Sequence, residues 1–116
     1  MKKHVNVLGA RYTITRLPAG EMPEGYGGFC DSDLRRIKIL RLSTLEEWRH
    51  ETKEKCEARE KLFLRHEIVH AFFDESGLRD SSERIDIPWP RNEELVDWLA
   101  IQGEKIYKAW EEAEAL

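Results

Sequence analysis

Apolar residues alternate with polar ones from Val5 to Leu17, in a stretch rich in Val, Tyr, Thr and Ile with Gly9 at its middle. The pattern predicts a short hairpin or bent strand pair in which Tyr12 and Ile14 share a face. PAGEMPEGYGG, residues 18–28, holds two prolines and four glycines and reads as loop. GFCDSDLRRIKILRL then reads as a second hairpin. Asp31, Ser32 and Asp33 form its turn, and Ile37 and Ile39 alternate with charge on the returning strand. If RRIKI is an edge strand, Ile37 and Ile39 face the core while Arg36 and Lys38 face out. Its charges then either guard the edge against aggregation or flank a peptide added to it.

From residue 43 the period changes. Ser43 and Thr44 precede Glu46 and Glu47 as overlapping capping boxes, which predicts a helix start. Helical spacing continues to Gly77, a length of about 50 Å at 1.5 Å per residue, too long for a small domain. A break is therefore expected between Glu51 and Arg59. Residues 78–91, with PWP and several charges, read as an irregular connection. Asn92 then caps a last helix with Leu95, Trp98, Leu99, Ile106 and Trp110 as its apolar positions. Gly103 within that helix marks a kink or a close contact. The fold class expected is α+β: a small N-terminal antiparallel sheet, a long central helix and a C-terminal helix, in one domain spanning residues 1–116.

Composition narrows the function. The formal net charge is −4, from 19 Lys and Arg against 23 Asp and Glu, which argues against nucleic acid as the main partner. Apolar runs are short, so no membrane span is expected, and the start lacks the apolar stretch of a signal peptide; a cytoplasmic location follows as the expectation. Cys30 and Cys56 lie in unrelated contexts and are expected to be reduced thiols.

The chemistry concentrates in RHEIVHAFF, residues 65–73. On a helix, His66 and His70 lie one turn apart on the same face, and both imidazoles can reach one Zn2+ ion at about 2.0–2.1 Å. Glu67, turned about 100° from His66, flanks such an ion, in the position of a general base for an activated water. The bland alternative is a pair of core histidines in an apolar helix, each needing its own hydrogen-bond partners. A catalytic zinc takes three protein ligands. NEELVDWLA offers Glu93 as the third and Asp97, four residues on, as acceptor for the free N–H of a ligand imidazole. Glu94 is the alternative ligand. Glu93 and Glu94 also suit the first turn of any helix through its dipole.

HEIVH followed by ELVDWLA resembles the HExxH…ExxxD arrangement of the gluzincin zinc peptidases, the thermolysin type. The small size is similar to the minimal phage and mobile-element ImmA/IrrE-like metallopeptidases. The likeness is specific over residues 62–101 and only architectural before them. It implies a zincin-type active-site helix with His66, His70 and Glu93 as zinc ligands, Glu67 as base and Asp97 orienting a ligand histidine. It departs in the 22 residues between His70 and Glu93, more than in thermolysin. The activity implied is hydrolysis of a peptide bond in a peptide or protein substrate. Tyr26, Tyr107, Arg91 and His50 all remain open as the group that stabilises the oxyanion. The alternative is a non-catalytic zinc-binding module that recognises a protein partner. Oligomeric state and cleavage preference are not legible.

Overall fold

The computed structural model describes residues 1–78 and 93–116; within the second segment, the side chains of Glu93, Val96, Asp97 and Ala100 are not described. Four strands, β1 (His4–Val7), β2 (Ala10–Leu17), β3 (Gly28–Asp31) and β4 (Arg36–Leu40), form one sheet in the order β1-β2-β4-β3. Among the described residues two α-helices follow, α1 (Lys53–Glu75) and α2 (Glu93–Glu112). The architecture is therefore α+β.

The first hairpin turns at Leu8 and Gly9, both at positive φ, and Asn6 Oδ1 accepts a hydrogen bond from the Gly9 N–H. Positive φ at both central residues matches the right-handed twist of the flanking strands, and glycine takes it freely. Tyr12 and Ile14 are buried together, as the alternation predicts.

The sheet is not purely antiparallel. β1–β2 and β3–β4 pair antiparallel, but β2 and β4 run parallel, with Ile14 opposite Ile37. The loop after β2 carries the chain past the position beside β2, so β3 forms at the outside and β4 returns into the gap. This corrects the expectation for RRIKI: β4 lies inside the sheet, and among the described residues β1 and β3 are its edges. Ile37 and Ile39 are nonetheless fully buried, and Arg36 points out.

Ser43 and Thr44 do not start a helix. Short 3-10 turns occupy Leu42–Thr44 and Glu46–Trp48, and α1 begins after Thr52, whose hydroxyl accepts from the Lys55 N–H. Thr44 Oγ1 instead accepts from the Ala19 N–H and donates to the Arg41 carbonyl, tying the crossover loop to the end of β4. The capping-box hydroxyl was diverted by a tertiary contact that no local pattern encodes.

One face of α1 is buried: Cys56, Glu60, Leu64, Glu67, Ile68, Ala71 and Phe72. Leu64, Ile68, Ala71 and Phe72 pack on Val5, Val7, Tyr12, Ile37 and Ile39 of the sheet and on Ile106 and Ala109 of α2. A second, smaller cluster gathers Met22, Leu40, Leu42 and Cys56 under the crossover loop. Glu60 sits between the two, accepting from the Arg16 guanidinium and from the Leu42 N–H. The expected apolar stripe of α2 is corrected at Leu99, which is 56% exposed, because Trp98 and the Ile106–Ala109–Ala113 line already cover the core. A Cβ at Gly103 would meet nothing within 4 Å, so no close contact explains that glycine. The tail is pinned, with Arg65 donating to the Ala115 carbonyl and Lys2 N–H to that of Ala113.

Candidate functional site

His66, His70 and Asp74 follow one another at four-residue spacing along the open face of α1. They line a cleft of about 850 Å3 with Glu67, Phe63 and Phe73, under the run Tyr26 to Cys30 that leads into and forms β3. Both histidines are exposed to this cleft, so they are not core residues. Their Nε2 atoms converge to 3.1 Å. Two ligands of one tetrahedral ion at about 2.0–2.1 Å stand about 3.3 Å apart, so the imidazoles are nearly set for a shared ion. Desolvation first, and then the neighbouring His66, lower the pKa of His70 and favour the neutral ring whose lone pair a metal needs.

Glu67 is the opposite case. It is only 6% exposed, and it makes no hydrogen bond or ion pair among the described residues. Burial pushes its carboxyl up to about 7, which places it near neutrality as a proton acceptor. The cause of that burial is β3. A Cβ on Gly28 would lie 3.2 Å from Glu67 Cγ and 2.9 Å from the Lys38 carbonyl, so the backbone of the edge strand rests on the glutamate. At Gly27 a Cβ would fall 2.7 Å from the Phe63 ring. Glycine in a strand often marks such an approach, and that signal stood in YGGF unread.

β3 also presents hydrogen-bonding groups. The Leu40 N–H donates to the Gly27 carbonyl. Alternation along an antiparallel pair then turns the backbone groups of Phe29 and Asp31 toward β4 and those of Gly28 and Cys30 away from it, to the side where no strand pairs among the described residues. The far end of β3 is clamped to α1. Ser32 Oγ donates to Asp74, while Tyr12 OH and Arg35 Nε both donate to Glu75 Oε1, at 2.8 and 3.2 Å. Cys30 lies beside Ser32, Sγ to Oγ 3.9 Å, and burial above all raises its thiol to about 12.

The structure thus brings together His66, Glu67 and His70. Glu93 and Asp97 stand in α2, four residues apart, but their side chains lie outside the described residues, so their distance from the histidines is undefined. Among the described residues no group of three or more His, Cys, Asp or Glu converges to hold an ion. Two convergent imidazoles remain a donor pair that suits zinc, with a third ligand to come from elsewhere. Of the oxyanion candidates, Tyr26 lines the cleft; Tyr107 and His50 are exposed and do not line it, and Arg91 lies outside the described residues. Cys30, Phe63 and Asp74, which the sequence reading did not assign to a site, also line it. Cys30 and Cys56 are both free. Among the described residues no helix is long and apolar enough to cross a membrane.

Compared with protein-family models, with curated proteins and with solved structures, the chain matches none.

Proposed function

We propose that the chain is a zinc-dependent peptidase whose centre is built on α1. The observation that carries this reading is the convergence of the His66 and His70 Nε2 atoms at 3.1 Å beside the buried Glu67, which has no hydrogen-bond partner among the described residues, in an open cleft bordered by β3, an edge of the sheet among those residues. His66 and His70 would hold the ion, with Glu93 as the third ligand. Zinc, when bound there, supplies Lewis-acid polarisation of a carbonyl and makes a water more acidic.

The remaining steps belong to the chain itself. The outward backbone groups of Gly28 and Cys30 bind an extended peptide as an added strand and lay it along the cleft above α1. The Glu67 carboxylate takes a proton from the attacking water and passes it to the amide nitrogen as the C–N bond breaks. Packing of Gly28 on Glu67 keeps bulk water from that carboxylate and so keeps its basicity near neutral pH. Asp74 and Ser32 hold the edge strand at a fixed height over the helix.

The test has two parts. Zinc per chain is measured on tag-free protein dialysed against metal-free buffer, and hydrolysis of a peptide mixture is then compared for wild type and Glu67→Gln. One equivalent of zinc in both, with hydrolysis only in wild type, supports the reading. Absence of zinc uptake, or equal hydrolysis by Glu67→Gln, overturns it. One equivalent that resists chelator, without hydrolysis, indicates a closed site in a non-catalytic binding module.

A further inference from the structure

The cleft does not end at the histidines. On the other side of Phe63 lies a recess of about 520 Å3, within the range of ligand-binding cavities. Tyr26, Gly27 and Phe63 line both spaces, so they form a saddle between them. The recess floor is apolar: Met22 and Leu42 are buried, and Leu45 and Trp48 are half-buried walls. Charge is confined to exposed positions such as Glu24, Glu47 and Arg59.

Its position along α1 sets its relation to the site. Arg59 and Phe63 line the recess, His66 and Glu67 the middle of the cleft, and His70 and Asp74 its far end. From Arg59 to Asp74 the helix advances about 22 Å at 1.5 Å per residue. An extended peptide of about seven residues covers the same length at 3.3 Å per residue. The recess lies about 10 Å before the histidine pair, the span of about three extended residues. Gly27 rests on the Phe63 ring, where a Cβ would fall 2.7 Å away, so this contact divides the two spaces and a peptide reaching both must cross over it.

We infer that this recess is a specificity subsite which takes one large apolar side chain, aromatic or branched aliphatic, of a peptide strand lying on β3, about three residues from the carbonyl at the histidine pair. The inference rests on the peptidase reading for the identity of that peptide. Adjacency to the cleft across Tyr26, Gly27 and Phe63, the spacing along α1 and an apolar floor with a charged rim all fit a strand that carries one anchor residue. Burial of such a side chain strengthens binding about 10- to 100-fold over serine at the same place.

The test is a photo-cross-linking scan on the zinc-supplemented Glu67→Gln protein. The probes are alanine–serine hexapeptides with a single p-benzoylphenylalanine moved through the six positions, and adducts are mapped by mass spectrometry. The expected result is adducts at Met22, Leu45 or Trp48 from one position only. A phenylalanine peptide should compete 10- to 100-fold better than its serine counterpart, and Leu45→Lys, checked for an unchanged melting temperature, should erase that difference. Adducts elsewhere, or equal competition by the two peptides, overturn the inference whatever Leu45→Lys does. Apolar-selective binding by a wild-type protein that hydrolyses nothing leaves the recess standing and removes the peptidase. Hydrolysis without apolar preference does the reverse.

Discussion

Glu67 shows how far a single side chain can be displaced from its ordinary chemistry. A carboxylate buried without a partner destabilises the fold once it ionises. Its folded pKa is raised, from 4.5 to about 7. Stability from the neutral form is thus fully present below about pH 4.5 and is lost as pH rises through about 7. In metal-free protein at pH 8, Glu67→Gln should therefore raise the melting temperature, on the order of 5 °C for a domain of this size. Calorimetry of both proteins at pH 8 and pH 4.5 checks this, the difference vanishing at the lower pH. On the proposed peptidase reading, the same substitution should cut hydrolysis by about 10²- to 10⁴-fold while zinc content stays at one per chain. Gly28 is the complementary residue. Gly28→Ala places a methyl group 2.9 Å from the Lys38 carbonyl, and the strand must move because backbone cannot yield as a side-chain end does. The expected cost is about 1–3 kcal/mol by denaturant titration, and on the proposed peptidase reading hydrolysis falls as β3 lifts from Glu67.

At the scale of elements, the hairpins and the histidine helix were legible because their signals are local. Val5, Val7, Tyr12 and Ile14 alternate as a half-buried strand must, and HEIVH falls in an unbroken helical stretch. What was not legible depended on contacts between distant segments. Nothing in RRIKI says that β4 inserts between β2 and β3, because the parallel pairing follows from where the crossover loop lands. Nothing in STLEE says that Thr44 will bond Ala19 instead of capping. Glu60 is the third such case. In sequence it is one charge among many on α1, yet it is buried and holds both β2, through Arg16, and the 3-10 turn after β4, through the Leu42 N–H. Glu60→Ala should cost about 2–4 kcal/mol, since it leaves a buried N–H and an arginine without their acceptor. Glu60→Gln, which keeps an acceptor for Leu42, should cost less, and urea unfolding of the two variants measures the difference.

For the whole molecule, the proposed metal would act as a strut as well as a chemical group. His66 and His70 lie on α1 and the proposed third ligand on α2, so one ion would join two helices that otherwise meet through Ile106, Ala109 and the neighbouring apolar core. An ion that binds only the folded chain stabilises it by RT ln(1 + [Zn]/Kd), about 2.7 kcal/mol when zinc exceeds Kd 100-fold. For a domain of this size that is a rise of roughly 10 °C in melting temperature, reversed by chelator. The variants then separate the roles in Glu93-Glu94. His70→Ala should abolish the zinc-dependent rise, because one imidazole makes a poor zinc site. Glu93→Ala should reduce it by more than half, while Glu94→Ala leaves it intact. If Glu94→Ala removes the rise and Glu93→Ala does not, the third ligand is Glu94. If neither variant changes a rise that His70→Ala abolishes, the third donor lies outside this pair, and Asp74, four residues beyond His70 on the same cleft wall, is the next side chain to replace.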